Sequence, residues 1–241
     1  MSFVSVCIAT YNGGSFLREQ LVSVLSQLPA NSEVLVGDDG STDDTVAIAE
    51  GFADPRVRVI MNSSNLGYIR NFENLLGLAA GDYIFFCDQD DVWPNGRVDK
   101  MISAMKSTKK LLVVGSTDYF FTNPADHHYF CGFSHQRDGS YLRNIFDLAA
   151  GRNVPYFGCS MLISKELKLS LLPFGSPTVS HDIWTFLVAT RLRSISHTRD
   201  VVTYRRVHNN NLSNRKRSFL DKIITRVIWL IAFFKIFMGK R

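Results

Sequence analysis

At 241 residues the chain fits one domain, or one domain with a short appendage. Its hydrophobic fraction of 46% is ordinary for a globular protein and supports a sizeable core. A formal charge of +5 favours an anionic partner (a diphosphate, nucleic acid or an anionic membrane) without choosing among them. The cysteines, Cys7, Cys87, Cys131 and Cys159, form no CxxC pair, which removes support for zinc-ribbon and thioredoxin chemistry.

The chain opens on a short apolar run, Phe3–Ala9, that ends in a polar turn. No basic region with a long apolar stretch precedes it, so a cytoplasmic protein is expected. Strands are predicted at Val4–Ala9, Val34–Gly37, Val57–Met61 and Tyr83–Cys87, each short and bounded by turn formers. Helices are predicted between them at Phe16–Gln27, Asp44–Phe52 and Ile69–Leu78. Leu17, Leu21, Val24, Leu25 and Leu28 supply one apolar helical face. Cys7 and Cys87 lie inside strand-like runs and read as small hydrophobes in a reduced compartment. This alternation implies an α/β fold with a mostly parallel sheet covered on both faces. Further on, Leu111–Gly115 and Val201–Val207 read as strands, Phe157–Ser164 as a buried segment and Asp182–Leu192 as a helix. Residues 117–138 show weak periodicity.

Sheets of this kind bind ligands at the carboxyl ends of their strands. Each such end is polar here: Thr10-Tyr11-Asn12, Asp38-Asp39-Gly40-Ser41, Asn62–Gly67 and Asp88-Gln89-Asp90-Asp91. Two acidic clusters on one edge repel unless something positive or protonated separates them, and a divalent cation is the simplest candidate. Asp88 and Asp90, with one residue between them, aim at one spot from an extended strand end. That spacing suits a clamp for Mg²⁺ or Mn²⁺ and a diphosphate. The competing reading is an acidic turn capping a helix that begins near Pro94. Asp38-Asp39 fits either a hydrogen-bond acceptor for a pyrimidine imide or ribose, or an Asp-Gly turn with a helix cap.

Val4–Asn12 followed by Val34–Asp43 resembles the opening of family 2 glycosyltransferases. Asn65-Leu66-Gly67 and then Gly81–Trp93 are similar to the same family, and Asp88-Gln89-Asp90-Asp91-Val92-Trp93 is similar to its rhamnosyltransferase-like branch. The resemblance is continuous over residues 3–105, with further matches to about residue 213. It implies the GT-A fold, a nucleotide-sugar half over about 1–105 and an acceptor half over about 106–214. It also implies positions. Thr10, Tyr11 and Asn12 would line the nucleotide pocket, Asp39 with Asp38 would contact the base, and Asn65, Gly67 and Arg70 would border the nucleotide and diphosphate. Asp88 would lie near ribose and metal. Asp90 is the first choice for metal contact and Asp91 the second. Gly67 read alone is a turn residue, and Arg70 read alone is a partner for a surface acid.

Ser180-His181-Asp182-Ile183-Trp184 resembles the family's acidic motif at the start of an acceptor-side helix. Asp182 is the candidate general base for an inverting transfer. A first-turn acid stabilised by the helix dipole is the plainer alternative. Tyr204–Asn211 resembles a late arginine–histidine–asparagine segment of the rhamnosyltransferase-like branch, in which His208 would ligate the metal and Arg206 hold a phosphate. A solvated basic loop is the other reading.

The mean hydropathy of +0.01 is slightly high, and the excess sits at the C-terminus. Arg215-Lys216-Arg217 precedes the apolar stretch Phe219–Met238, and Lys240-Arg241 follows it. Arg226 and Lys235 leave the stretch short of the roughly 20 apolar residues of a spanning helix. Residues 215–241 therefore read as an interfacial anchor on the inner face of the cell membrane, or as a helix packed on protein.

The expected activity is transfer of a sugar, with rhamnose suggested, from a nucleoside-diphosphate donor to a saccharide or lipid-linked saccharide acceptor in surface polysaccharide synthesis. The alternative is an inactive relative that binds nucleotide sugar. An NAD-type oxidoreductase is disfavoured because Asn12-Gly13-Gly14-Ser15 has the wrong glycine spacing. Nucleic-acid binding lacks any motif.

Overall fold

Short, continuously apolar strands separated by amphipathic helices build the first half. β1 (Val4–Thr10), β2 (Ser32–Asp38), β3 (Val57–Met61) and β4 (Tyr83–Asp88) run parallel in the order β3-β2-β1-β4. They are joined through α1 (Gly14–Leu25), α2 (Thr45–Glu50) and α3 (Tyr68–Leu78). This computed structural model describes residues 2–121, 127–131, 140–149, 156–178, 180–208 and 218–238. The predicted strands and helices of this half are all present, with ends displaced by a few residues.

Alternate side chains of each strand feed two separate cores, one on each face of the sheet. Val4, Val6 and Ile8 of β1 pack with α1 and with α4 (Arg97–Thr108). Cys7, like Ile84 and Phe86 of β4, packs on the other face with Phe72, Leu75 and Leu76 of α3. Cys7, Cys87 and Cys159 are buried free thiols; the Cys131 side chain lies outside the described residues.

The second half extends the sheet with mixed polarity. β5 (Leu112–Phe120) pairs with β6 (His127–Cys131) and with β7 (Met161–Ser164), both antiparallel. β7 also pairs antiparallel with β4, which joins the two halves. β8 (Ile195–Arg206) runs parallel to β5, giving eight strands. The expected Leu111–Gly115 strand thus runs on to Phe120, into the stretch of weak periodicity, and much of the rest of that stretch lies outside the described residues. The predicted segment Phe157–Ser164 divides into a 3-10 turn, Gly158–Ser160, and β7.

Helices α5 (Tyr141–Ala149), α6 (Lys165–Leu171), α7 (His181–Arg191) and α8 (Phe219–Met238) complete the chain. α8 continues unbroken through Arg226 and Lys235. Its Trp229, Ala232, Phe233, Ile236 and Phe237 pack into the same core as α7. Among the described residues no helix is long and apolar enough to cross a membrane. The basic runs Arg215–Arg217 and Lys240-Arg241 lie outside the described residues.

Candidate active site

Strand register assembles the site. Thr10 is paired with Asp38 on one side of β1, and Ala9 with Asp88 on the other. The two acidic clusters therefore flank the Thr10-Tyr11-Asn12 turn. Gln89 fastens that turn to the end of β4: its Oε1 accepts from Tyr11 N–H at 2.9 Å and its Nε2 donates to Tyr11 C=O at 3.2 Å. Asn12, with φ of 49°, fastens it to the end of β2. Its N–H donates to Ser41 Oγ at 2.9 Å and its Oδ1 accepts from Thr42 N–H at 2.8 Å.

Asp38 and Asp39 are both buried and both hydrogen-bonded by the protein's own loops. Asp38 accepts from the Thr10 hydroxyl at 3.1 Å, from Gly40 and Ser41 N–H at 3.1 and 2.8 Å, and from the Ser41 hydroxyl. Asp39 accepts from Asn62 Nδ2 at 3.1 Å and from Leu66 and Gly67 N–H at 2.7 and 2.8 Å. It thereby pins the loop that carries Asn65 and Gly67. Asn65 Oδ1 accepts from Gly67 N–H at 3.1 Å, and Gly67, with φ of 76°, forms the tight entry to α3. Arg70 is exposed and ion-paired with Glu73 one helical turn on.

The end of β4 holds the acidic centre. Burial lifts the Asp88 carboxyl to about 6; Arg205 opposes the rise, and the charges of Asp90 and Asp182 add to it. Asp91 is 1% exposed and is raised well above the usual range, by burial first and then by Asp90 and Asp88. Burial works against the charge on Arg205, yet the acidic groups around it, Asp91 and Asp88 among them, hold its pKa above the ordinary arginine value. Asp88, Asp91 and Cys159 present ligand atoms within 4.8 Å of one another. Burial keeps the Cys159 thiol protonated, so it is a poor donor for a hard cation.

Asp90 lies beside this group, and its charge raises both Asp88 and Asp91. Its Oδ2 meets His208 Nε2 at 2.8 Å, and the imidazole stacks on Phe16 at 4.5 Å. The late segment is thus folded over the end of β4, with His208 beside the Asp90 carboxylate. The three metal candidates split: Asp90 with His208, Asp91 with Asp88. The carboxylate donors fit Mg²⁺ or Mn²⁺, and Asp91 Oδ2 is buried with no hydrogen-bond partner among the described residues.

The Arg206 guanidinium is ion-paired with Glu19 and its Nε donates to the Asp90 carbonyl at 3.2 Å, so it braces the loop. Arg205 is the arginine that faces the acidic centre. The alternation of β8 carries this, because Thr203 and Arg205 share a face and both meet Cys159; Thr203 Oγ1 donates to the Cys159 carbonyl at 2.7 Å. Behind them Arg97, wholly buried, donates to the carbonyls of Val202 at 2.6 Å and Cys159 at 2.7 Å, and stacks under Trp93 at 4.1 Å. Burial lowers its pKa to about 10. Arg205 lies within the late segment singled out in the sequence, with no role of its own assigned there, and Cys159 and Arg97 lie outside the sequence reading of the site.

Asp182 arrives from the other half of the chain, in the first turn of α7, near enough to Asp88 to raise its pKa. Its Oδ1 accepts from the Ser180 hydroxyl and from Ile183 N–H, the latter at 2.7 Å; among the described residues Oδ2 accepts none. The preceding His181 is buried between rings, stacked on Phe72 at 4.0 Å with Phe86 at 5.2 Å. Neither ring nitrogen has a partner among the described residues, and burial lowers its pKa, so it is a neutral packing group. A Cβ on Gly158 would lie 2.1 Å from His181 Nε2, so only glycine fits there.

This geometry has relatives. The family model described as glycosyl transferase family 2 matches residues 5–165. The dTDP-rhamnosyl transferase RfbG of Shigella flexneri is 29% identical over 231 residues, covering 89% of this chain and 76% of that protein. The Escherichia coli UDP-Glc:alpha-D-GlcNAc-diphosphoundecaprenol beta-1,3-glucosyltransferase WfaP is 36% identical over 109 residues, 45% of this chain and 43% of that one. Across such curated relatives the chain spans from 36% to 76% of their length. Among solved structures, S. aureus TarS 1-349 in complex with UDP-GlcNAc superposes with a TM-score of 0.75 at 20% identity, covering 97% of this chain and 67% of that one. The Pyrobaculum calidifontis mannosyltransferase PcManGT, in complex with GDP-Man and Mn²⁺, gives 0.64 at 18% identity, covering 99% and 64%. The fold is that of the GT-A glycosyltransferases, and with two thirds of its length matched by the family model the chain belongs to glycosyl transferase family 2.

Proposed function

We propose that this chain is an inverting glycosyltransferase that moves a sugar from a nucleoside-diphosphate donor to a saccharide or lipid-linked saccharide acceptor in surface polysaccharide synthesis. The observation that carries this is the meeting of Asp182, at the start of α7, with the acidic end of β4. The acceptor hydroxyl attacks the anomeric carbon from the face opposite the diphosphate. The new glycosidic C–O bond forms as the bond to the diphosphate breaks, and the diphosphate leaves with the electron pair. The Oδ2 of Asp182 takes the hydroxyl proton. Asp88, Asp90, Asp91 and His208 would hold Mg²⁺ or Mn²⁺, which when bound neutralises charge on the departing diphosphate. Thr10, Tyr11 and Asn12 shape the nucleotide pocket, with Asp38 and Asp39 fixing its walls and Asn65, Gly67 and Arg70 at its border.

The Asp88–Trp93 motif and the likeness to RfbG favour dTDP-rhamnose as donor, and the likeness to WfaP favours a lipid diphosphate acceptor. We place the protein on the cytoplasmic face of the membrane, with residues 215–241 as the contact. The test is binding and turnover of UDP-, GDP- and dTDP-sugars with Mg²⁺ or Mn²⁺. Asp90→Ala should weaken metal-dependent donor binding about ten-fold or more. Asp182→Asn should keep binding and lower transfer by about 10²–10⁴. Wild-type protein that binds a donor yet transfers nothing would replace this reading with the inactive relative.

A further inference from the structure

Helix α8 is apolar on two opposite faces. The inner face, centred on Ala232 and Ile236, is packed into the core beside α7. On the other side Leu220, Ile224, Val227, Ile231, Phe234 and Met238 recur at alternating steps of four and three residues. That spacing holds one stripe along a helix. Every member is exposed, from 39% at Ile231 to 75% at Met238. An apolar stripe of this length marks a contact surface.

Its regularity suits a second helix as well as an apolar medium, and charge separates the two. Between Arg215 and Arg241 eight lysines and arginines stand against one acid, Asp221. The segment is therefore more positive than the whole chain at +5, and the remainder is net acidic. Pairing two copies along the stripe would align two strongly basic segments with almost no acid to offset them. An anionic lipid surface offers the opposite charge along the whole segment. We propose that the outer stripe of α8 seats in the interface of an anionic bilayer while the inner face holds the domain against it. This deepens the membrane contact of the proposed function by naming its face and its lipid.

The arrangement bears on the acceptor. Lys235 of α8 bonds the Ser176 carbonyl, and residues Gly175–Thr178 line a cavity of ≈ 320 Å³ opposite Gly67 and Arg70. The same loop leads into α7 and Asp182. A lipid-linked acceptor held in that bilayer meets the protein on the side of this cavity.

The test is sedimentation of the full chain with vesicles of phosphatidylcholine alone and of phosphatidylcholine with phosphatidylglycerol. Binding to the anionic vesicles should exceed binding to neutral ones about ten-fold and fall as salt rises. The triple variant Val227→Ser, Ile231→Ser, Phe234→Ser should lose about ten-fold in binding with its thermal midpoint unchanged. Ile224→Glu, a single exposed position, gives the same readout should the triple variant fold poorly. Equal binding to both vesicles, undiminished binding by the variants, or a vesicle-free dimer that the triple variant dissociates would each overturn the proposal. The assay contains neither donor nor acceptor, so its failure leaves the transferase reading standing.

Discussion

Asp88 and Asp91 share one buried corner with the Arg205 guanidinium, and both carry raised pKa values. For a carboxyl whose folded pKa lies above its unfolded value, the native state binds the proton more tightly. That advantage is fully present below the unfolded value near 4 and is lost as pH rises through about 6. With a chelator present, the thermal midpoint should therefore climb as pH is lowered from 7 towards 5. Asp88→Asn should raise stability at pH 7 by roughly 1–2 kcal/mol, flatten the slope and abolish donor binding. Asp91 titrates with it and preserves part of the slope. Thermal unfolding across that range checks this; an Asp88→Asn profile parallel to wild type would contradict it. The carboxylates themselves were visible in the sequence at the strand ends. Their partners were not, because a strand-end aspartate reads the same whether a ligand or a loop supplies its donors. The donors to Asp39 come from Asn62, Leu66 and Gly67, beyond a helix and a strand.

At the scale of elements, α7 is the part whose placement decides chemistry. Its first turn carries Asp182, and His181 wedges that turn among Phe72, Phe86 and Gly158. Gly158 sits in the 3-10 turn that also presents Cys159 to Asp88 and Asp91. A methyl at Gly158 would collide with the imidazole, so Gly158→Ala should push the start of α7 outward at a cost of about 1–3 kcal/mol. Steady-state kinetics should show kcat lower by about ten-fold or more with donor affinity near wild type. Unchanged kcat would mean that the shift of His181 does not reach Asp182. The helix start at Asp182 was legible from the acid and the apolar run behind it. The turn at Gly158 was not, and neither was the full length of β5 or β8. β5 is buried nearly end to end, so its burial shows no period of two, while residues 197–200 of β8 are polar and largely accessible. The parallel strands β1 to β4 were legible because their apolar runs are short, continuous and bounded by turns.

For the whole molecule, the sequence separates residues 215–241 by composition, whereas packing joins α8 to the domain. Trp229, Phe233 and Phe237 stack along its inner side, the first pair at 5.5 Å and the second at 4.5 Å, against the core that holds Trp184 and Leu187 of α7. Removing residues 218–241 would return this surface to water. With each large apolar side chain worth about 1.5–3 kcal/mol when fully buried, and these only partly so, the loss is about 4 kcal/mol. The truncated protein should therefore unfold at a clearly lower temperature and transfer sugar to a water-soluble acceptor more slowly, because α7 loses its backing. The outer-stripe variant leaves the inner stack and the core contacts in place and removes only the edge contact of Phe234 with Phe233 at 5.8 Å, so its unfolding should stay within about 1 kcal/mol of wild type and its transfer to the soluble acceptor should be unchanged. Unfolding curves and soluble-acceptor rates for the two proteins, run side by side, check both statements. A truncation with a wild-type midpoint would make α8 a detachable tail, and a stripe variant that loses soluble-acceptor activity would make the outer face part of the catalytic fold.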